Sequence, residues 1–298
     1  MSSPSNFIAT VDTTLAEKMK IDLEEQGFSF TFPQHTLFQA KKKGITCTLY
    51  KSGKLMVQGK EKDPFITFYL EPNILKTFTY SYPESNMDMF PHIGVDEAGK
   101  GDVFGPLCVG AVFATENQIK ILLEYGICDS KKLSDKKISL LASKVKKLCL
   151  HRCVNIYPEK YNIMYAKFKN LNTLLAWAHA TAIVDLHQQS HCKNVTIDQF
   201  AKEEVVEKAL TNKGLSLNLT QKFKGEEDVV VAAASVIARD SFVQGIAKLE
   251  KSYNHTIPKG ASYATVDAGK KFIACQGKQE LHKIAKMHFK TVNEMTTH

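Results

Sequence analysis

The stretch Gly94-Val95-Asp96-Glu97-Ala98-Gly99-Lys100-Gly101-Asp102-Val103-Phe104-Gly105-Pro106 limits what this chain can fold into more than any other. Ile93, Gly94 and Val95 read as a short apolar strand. Two adjacent carboxylates close it, and a Gly-Lys-Gly turn follows at once. Neighbouring strand residues point to opposite faces. Asp96 and Glu97 therefore reach one site only if the strand ends or bends there, and glycine supplies that freedom. Crowded carboxylates repel and are costly to desolvate. A hard divalent cation, Mg²⁺ or Mn²⁺, removes that cost and takes oxygen ligands. An Asp-Glu pair alone is very common, however, and taken alone favours a merely solvated surface turn.

A second acid changes the weighing. Asp198 directly follows Val195-Thr196-Ile197, again at the carboxyl end of an apolar strand. In α/β sheets that edge is where ligands bind. A third acidic element, Phe223-Lys224-Gly225-Glu226, precedes the Ala-rich run Val229 to Leu249. Acids there also suit a helix N-terminus, so Glu226, Glu227 and Asp228 have a structural reading too. Divalent cations held by such carboxylates cleave phosphodiesters by activating water and stabilising the leaving oxygen.

Around these acids the pattern is α/β. Leu107 to Ala114 reads as a buried strand, and Lys131 to Leu150 as a basic amphipathic helix. Leu171 to Gln188 and Val229 to Leu249 read as long apolar helices, with Ala232-Ala233-Ala234-Ser235 allowing close packing. The stretch from Ala268 onward is helical and basic. Ahead of all this, Leu15 to Gln26 has helical spacing. Thr46 to Tyr50 and Leu55 to Gln58 flank Lys51-Ser52-Gly53-Lys54 as a β-hairpin. We assign residues 1–80 to a small α+β domain, 81–91 to a linker holding two prolines, and 92–298 to the larger domain.

The chain carries a formal net charge of +8, which favours a polyanionic partner. From Lys41 to Lys60 there are six lysines and no acid. This hairpin, with Lys41, Lys42, Lys43, Lys51, Ser52, Lys54 and Lys60, reads as a phosphate-binding face interrupted by Gly53 and Gly59. A lysine-protected edge strand is the plainer alternative. The seven cysteines form no C-x-x-C pair and read as free thiols in a reducing compartment. No secretory signal and no apolar run of about 18 residues stand out, so a cytoplasmic location is expected and no membrane. The histidines lack zinc spacing. His179, His187 and the residues around Trp177 read as core or surface groups.

The motifs DEAGKGDVFGP, VTIDQF, KGE before VAAASVIARD, and PKGA (Pro258 to Ala261) together resemble the type 2 ribonucleases H, and best their bacterial HIII branch. The hairpin TLYKSGKLMVQGK resembles the TBP-like extension of that branch. The resemblance implies an RNase H-like domain with a central mixed sheet and flanking helices. It implies a four-acid site of Asp96, Glu97, Asp198 and Glu226 holding Mg²⁺ or Mn²⁺, with Glu227 an alternative for the fourth. Gly99, Lys100 and Gly101 match the turn that contacts the nucleic-acid backbone. The implied reaction is metal-assisted water attack on the RNA strand of an RNA/DNA hybrid, leaving 3′-hydroxyl and 5′-phosphate ends. No obligate protein partner is evident and a monomer is expected. Tyr263 lies where HII enzymes use a tyrosine, but its PKGASYATVD context resembles HIII, so that role is not carried over. Three alternatives stay open: a nucleic-acid-binding protein without catalysis, another RNase H-like enzyme such as a junction resolvase acting on branched DNA, and an HII-like specificity for single embedded ribonucleotides.

Overall fold

The structure, a computed structural model, describes residues 6–77, 80, 88–127, 133–222 and 225–297, without the side chain of Glu226. Cys128, the start of the helix expected from Lys131, Phe223-Lys224 and most of the expected linker lie outside these residues. The chain divides into two compact units, Met1–Met87 and Asp88–His298.

The first unit runs β1 (Asn6–Thr10), α1 (Ala16–Glu25), β2 (Ser29–Thr31), β3 (Thr36–Lys42), β4 (Ile45–Tyr50), β5 (Lys54–Gln58) and α2 (Lys62–Phe65), which widens into a π-type coil over Ile66–Leu75. The sheet is antiparallel, in the order β1-β5-β4-β3-β2. Alternation along β3 to β5 sends Phe38, Ala40, Cys47, Leu49, Leu55 and Val57 into one buried face with Met19, Leu23, Ile66 and Leu70. Gly53 makes the expected hairpin turn with φ 81°, and a Cβ there would lie 2.9 Å from the Val11 carbonyl oxygen.

The lysines from 41 to 60 fall into two groups. Lys41, Lys42, Lys43 and Lys60 gather near the β3–β4 turn, while Lys51, Ser52 and Lys54 sit at the β4–β5 turn, the opposite end of the same strands. Six residues of β4 separate the two groups, roughly 20 Å at about 3.3 Å per residue. A charge run that is continuous along the chain is split because the hairpin reverses within it. Lys42 is further engaged at home. It donates to the Gln26 carbonyl at 2.7 Å and lies over the Phe28 ring.

The second unit contains β6 (His92–Ala98), β7 (Leu107–Ala114), α3 (Glu116–Glu124), α4 (Asp135–Leu148), β8 (Leu150–Ile156), α5 (Pro158–Phe168), α6 (Leu171–Ser190), β9 (Asn194–Asp198), α7 (Glu203–Thr211), β10 (Asn218–Lys222), α8 (Val229–Tyr253), α9 (Tyr263–Gln276) and α10 (Lys290–Thr296). Its mixed sheet has the order β10-β9-β6-β7-β8. β10, β9 and β6 are parallel, and β7 and β8 run antiparallel to their neighbours. Helices α5 to α7 cover one face through Leu174, Leu175, Ile183 and Val206. Helix α8 covers the other, backed by α3 and α4. It is apolar and long enough to cross a membrane by composition alone, yet most of it is buried inside this unit.

Helix α8 lies unusually close to the sheet because the sheet lacks side chains beneath it. A Cβ on Gly94 of β6 would lie 2.4 Å from the Val230 carbonyl carbon, and one on Gly110 of β7 would lie 2.3 Å from the Ala234 oxygen. The triple alanine Ala232–Ala234 completes the fit. This packing decides where Ser235 and Arg239 come to rest. The C-terminal stretch, expected to be helical from Ala268, is broken into separate helical pieces. Helix α9 starts at Tyr263 and stops at Gly277, whose φ of 90° ends it; the remainder is a short 3₁₀ turn and α10. Residues 88–91 of the expected linker already belong to this unit, since Asp88 pairs with Lys222 and the Pro91 carbonyl accepts from Asn194.

Candidate active site

The strand carrying the two acids does not end at them. β6 continues through Asp96 and Glu97 to Ala98, paired with β7 at Gly110, Val109 and Cys108. This corrects the expectation of a turn at the carboxylates: the antiparallel partner holds β6 extended past the point where β9 stops pairing. Alternation then sends the acids to opposite faces, and because β6 ends one residue later, at Ala98, both still border the one cleft at the sheet's edge. Asp96 turns toward α8 and hydrogen-bonds Ser235; Glu97 turns toward α6 and meets His179.

Asp96 and Asp198 do share a face. β6 and β9 are parallel and pair Ile93 with Val195, Gly94 with Thr196 and Val95 with Ile197, so the next residues in register are Asp96 and Asp198. Both stand at the carboxyl edge of the sheet, where ligands collect in such folds. Asp198 Oδ1 accepts the Gly225 N–H at 2.8 Å. A Cβ on Gly225 would lie 2.7 Å from the Asp198 Cα, so the turn Gly225–Glu227 approaches this edge only because residue 225 is glycine. The backbone of Glu226 is therefore near Asp198, while its side chain lies outside the described residues. Glu227 is exposed.

The electrostatics are those of crowded anions. Burial, then the negative charges of Glu97 and Asp198, push the Asp96 carboxyl up to about 7, against hydrogen bonds from Ser235 and the Glu97 N–H. Burial would raise Glu97 too, but His179 and Lys100 outweigh it and hold it below the usual carboxylate range. Glu97 Oε2 accepts from His179 Nε2 at 3.1 Å, and Oε1 faces Lys100 Nζ at 3.3 Å. Among the described residues no three His, Cys, Asp or Glu side chains already converge as metal ligands. The donor set is nevertheless all oxygen, anionic and short of counter-charge, which fits a hard divalent cation.

Lys100 is brought to the acids by the turn the sequence marked. Gly99 has φ 86°, and a Cβ there would lie 2.2 Å from the Pro106 carbonyl oxygen. Gly101 has open space around it. Asp102 anchors the turn's far side, with Oδ1 accepting the Gly260 N–H at 2.6 Å and Val103 N–H donating to the Gly260 carbonyl at 3.1 Å. The cleft so formed is about 320 Å³ and is lined by Asp96, Glu97, Gly99 to Asp102, Asp198, Phe200 and Arg239. A larger cavity of about 620 Å³ lies around Trp177 between α6 and α7, but its walls are mainly apolar and hold none of these acids.

Sequence reasoning missed Ser235, Arg239, Phe200 and His179. Ser235 and Arg239 are four apart on α8 and so share a face, a signal visible once one of them is tied to Asp96. Phe200 follows Asp198 by two residues. His179 had no local signal, because its partner is 82 residues away.

The chain is similar to known proteins over nearly its whole length. A family model described as ribonuclease HII matches residues 93–292, and a domain of unknown function (DUF3378) matches residues 6–80. A ribonuclease HIII of Protochlamydia amoebophila is 53% identical over 293 residues, covering 98% of this chain and 97% of its own. One from Chlamydia pneumoniae is 49% identical over 295 residues, covering 98% of each. Among solved structures, Bst-RNase HIII in complex with Mn²⁺ shares the fold, with TM-score 0.68, 24% identity and 98% of each chain covered. Aquifex aeolicus RNase H3 has TM-score 0.56 and 25% identity, covering 94% of this chain and 99% of its own.

Proposed function

The chain belongs to the type 2 ribonuclease H family, in its ribonuclease HIII branch, and on that premise we propose that it hydrolyses the RNA strand of RNA/DNA hybrids endonucleolytically. The observation that carries the reading is the register of Asp96 and Asp198 at the carboxyl edge of parallel strands, opening on a cleft that also presents Lys100 and Arg239. Cations beside carboxylates suit a substrate that is itself a polyanion.

Asp96, Glu97, Asp198 and Glu226 would hold one or two divalent cations, Mg²⁺ or Mn²⁺. Such a cation supplies a more acidic water and neutralises charge gathering on the phosphate and leaving oxygen. The protein's own groups do the rest. Lys100 and Arg239 bind phosphate oxygens and fix the strand's place in the cleft. The backbone of Gly99 to Gly101, free of side chains on its open side, lets N–H groups approach a ribose 2′-hydroxyl, which tells RNA from DNA. In-line attack of water on phosphorus then expels the 3′-oxygen, leaving 3′-hydroxyl and 5′-phosphate ends. The two groups of exposed lysines, Lys41, Lys43 and Lys60 at one end of the strands and Lys51 and Lys54 at the other, would grip the hybrid's backbone at separate points without regard to sequence.

The six described cysteines are free thiols, which suits a reducing, cytoplasmic setting. The test of the function is cleavage of an end-labelled RNA/DNA hybrid with Mg²⁺ or Mn²⁺, beside single-stranded RNA, duplex RNA, and duplex DNA with one ribonucleotide. Cutting confined to the RNA of hybrids, and lost with EDTA or Asp96→Asn, supports the reading. Binding without cleavage under either metal sinks it.

A further inference from the structure

We infer that His179 is a positioning residue that fixes Glu97 in the orientation in which it serves as a cation ligand; this rests on the function proposed above. His179 lies in the middle of α6 and is fully buried. Its Nε2 is 3.1 Å from Glu97 Oε2. A carboxylate only accepts, so Nε2 carries the proton and donates. The Phe200 ring, which lines the cleft, packs on the imidazole at 4.5 Å between centroids.

Three features separate this contact from ordinary core packing. First, the ring's other nitrogen, Nδ1, is buried without a hydrogen-bond partner among the described residues. An orphaned buried polar atom costs about 1–3 kcal/mol. Its neighbours on the same face of α6, Leu175, Ala176, Ala182 and Ile183, belong to the apolar core, where a leucine would lie with no such penalty. Secondly, the one hydrogen bond of the ring among the described residues goes to an acid of the cleft. Thirdly, Glu97 points to the α6 face, away from the face shared by Asp96 and Asp198. It therefore needs a partner on that face to set its torsions. His179 fixes Oε2 and leaves Oε1 toward Lys100 and the cleft. Partners of this kind, one hydrogen bond behind a ligand, typically govern 10–100-fold of metal affinity or activity.

The test uses the full chain and Mn²⁺ as probe. Mn²⁺ binding without substrate is measured by electron paramagnetic resonance of the free ion, beside hybrid binding in EDTA and cleavage as a function of Mn²⁺. His179→Leu is expected to raise the Mn²⁺ dissociation constant at least about 10-fold while hybrid binding in EDTA stays within about twofold. His179→Gln, whose amide nitrogen reaches about as far as Nε2, is expected to restore most of the affinity. His179→Asn, whose amide stops near the Nδ1 position, is not. Leu and wild-type chains with equal Mn²⁺ affinity would overturn the inference. If the Leu variant does not fold, equal affinity of the Gln and Asn variants overturns it instead. A purely structural histidine would shift melting temperatures without separating Gln from Asn in Mn²⁺ affinity. Wild-type protein that neither binds Mn²⁺ nor cuts hybrid would sink the functional reading itself, a different outcome.

Discussion

The fully buried ammonium of Lys286 donates to the backbone carbonyl of Asp102 at 2.8 Å, tying the C-terminal segment to the loop that carries the Gly-Lys-Gly turn. The Lys286 N–H also donates to the Val103 carbonyl at 2.8 Å, and Phe104 bridges to Ala285. Burial pulls the Lys286 ammonium down to about 8 from its ordinary value near 10.5, with Asp102 and Cys108 opposing. Between those values the unfolded chain holds a proton that the folded chain has released. Stability from this group therefore rises with pH across the window. Against a Lys286→Met control, wild-type stability in urea should gain up to about 3 kcal/mol between pH 8 and 10.5. A gap that stays constant with pH would mean the carbonyls fully replace water around the ammonium.

Glycine at position 94 is required by packing, whereas position 101 has room. Gly94→Ala would drive a methyl into the Val230 backbone, so α8 must shift and take Ser235 away from Asp96. We expect at least about 2 kcal/mol of destabilisation together with loss of cleavage. Gly101→Ala meets nothing within 4 Å. Its stability should stay within about 0.5 kcal/mol of wild type, while hybrid affinity falls because the added methyl stands where the backbone of the nucleic acid approaches. Thermal melts and binding isotherms of the pair check this. Equal affinity for Gly101→Ala and wild type would remove that turn from the substrate interface.

His92 and Asp228 form a buried pair at the start of α8, 3.0 Å apart, and Asp228 also accepts the Val230 and Val231 N–H groups as the helix cap. Burial works against both charges. It is outweighed at His92 by Asp228 and the Phe90 carbonyl, which raise its pKa, and at Asp228 by His92 and Lys222, which lower its own. The carboxylate's contribution is present above its ordinary value of 3.8 and is lost as pH falls through its lowered one. The imidazolium's is full below 6.5 and lost as pH rises through its raised one. The pair therefore stabilises most from about pH 4 to 6.5. Asp228→Ala should cost about 3–5 kcal/mol at pH 6, and less at pH 9. An effect that is the same at both pH values would show that His92 is not charged.

Much of this is legible in the sequence. Ile197-Asp198 is readable as a strand end, and Val95-Asp96 as lying within two residues of one, because an apolar run followed by an acid has few other meanings in an α/β chain. The hairpin around Gly53 and the long helices α6 and α8 were equally plain. What sequence reading got wrong was non-local. The direction of Glu97 depends on β7 holding β6 extended beyond β9, which no window around residue 97 contains. His179 sits in a helix that is apolar on nearly every side, so nothing local marks it as a polar partner of Glu97. The lysines from 41 to 60 looked continuous because chain order hides the reversal of the hairpin.

Crowding the acids at the cleft costs stability when no cation is bound. With no cation bound, Asp96 is pushed up to about 7 by burial and by the charges of Glu97 and Asp198. The folded chain therefore keeps a proton that the unfolded chain gives up near 3.8. Stability in EDTA should fall as pH rises from about 4 to 7, the reverse of a salt-bridged aspartate. Asp96→Asn removes the charge, and the amide oxygen still accepts from Ser235 and the Glu97 N–H. At pH 8 in EDTA the variant should melt at least about 3 °C above wild type. Added Mn²⁺ should raise the wild-type melting temperature and leave that of the variant nearly unchanged, while the variant cuts no hybrid. Calorimetry at pH 5 and pH 8, with and without Mn²⁺, separates the possibilities. A variant less stable than wild type in EDTA at pH 8 would mean that the hydrogen bonds to Asp96 outweigh the repulsion, and that the carboxylate is ionised without a cation.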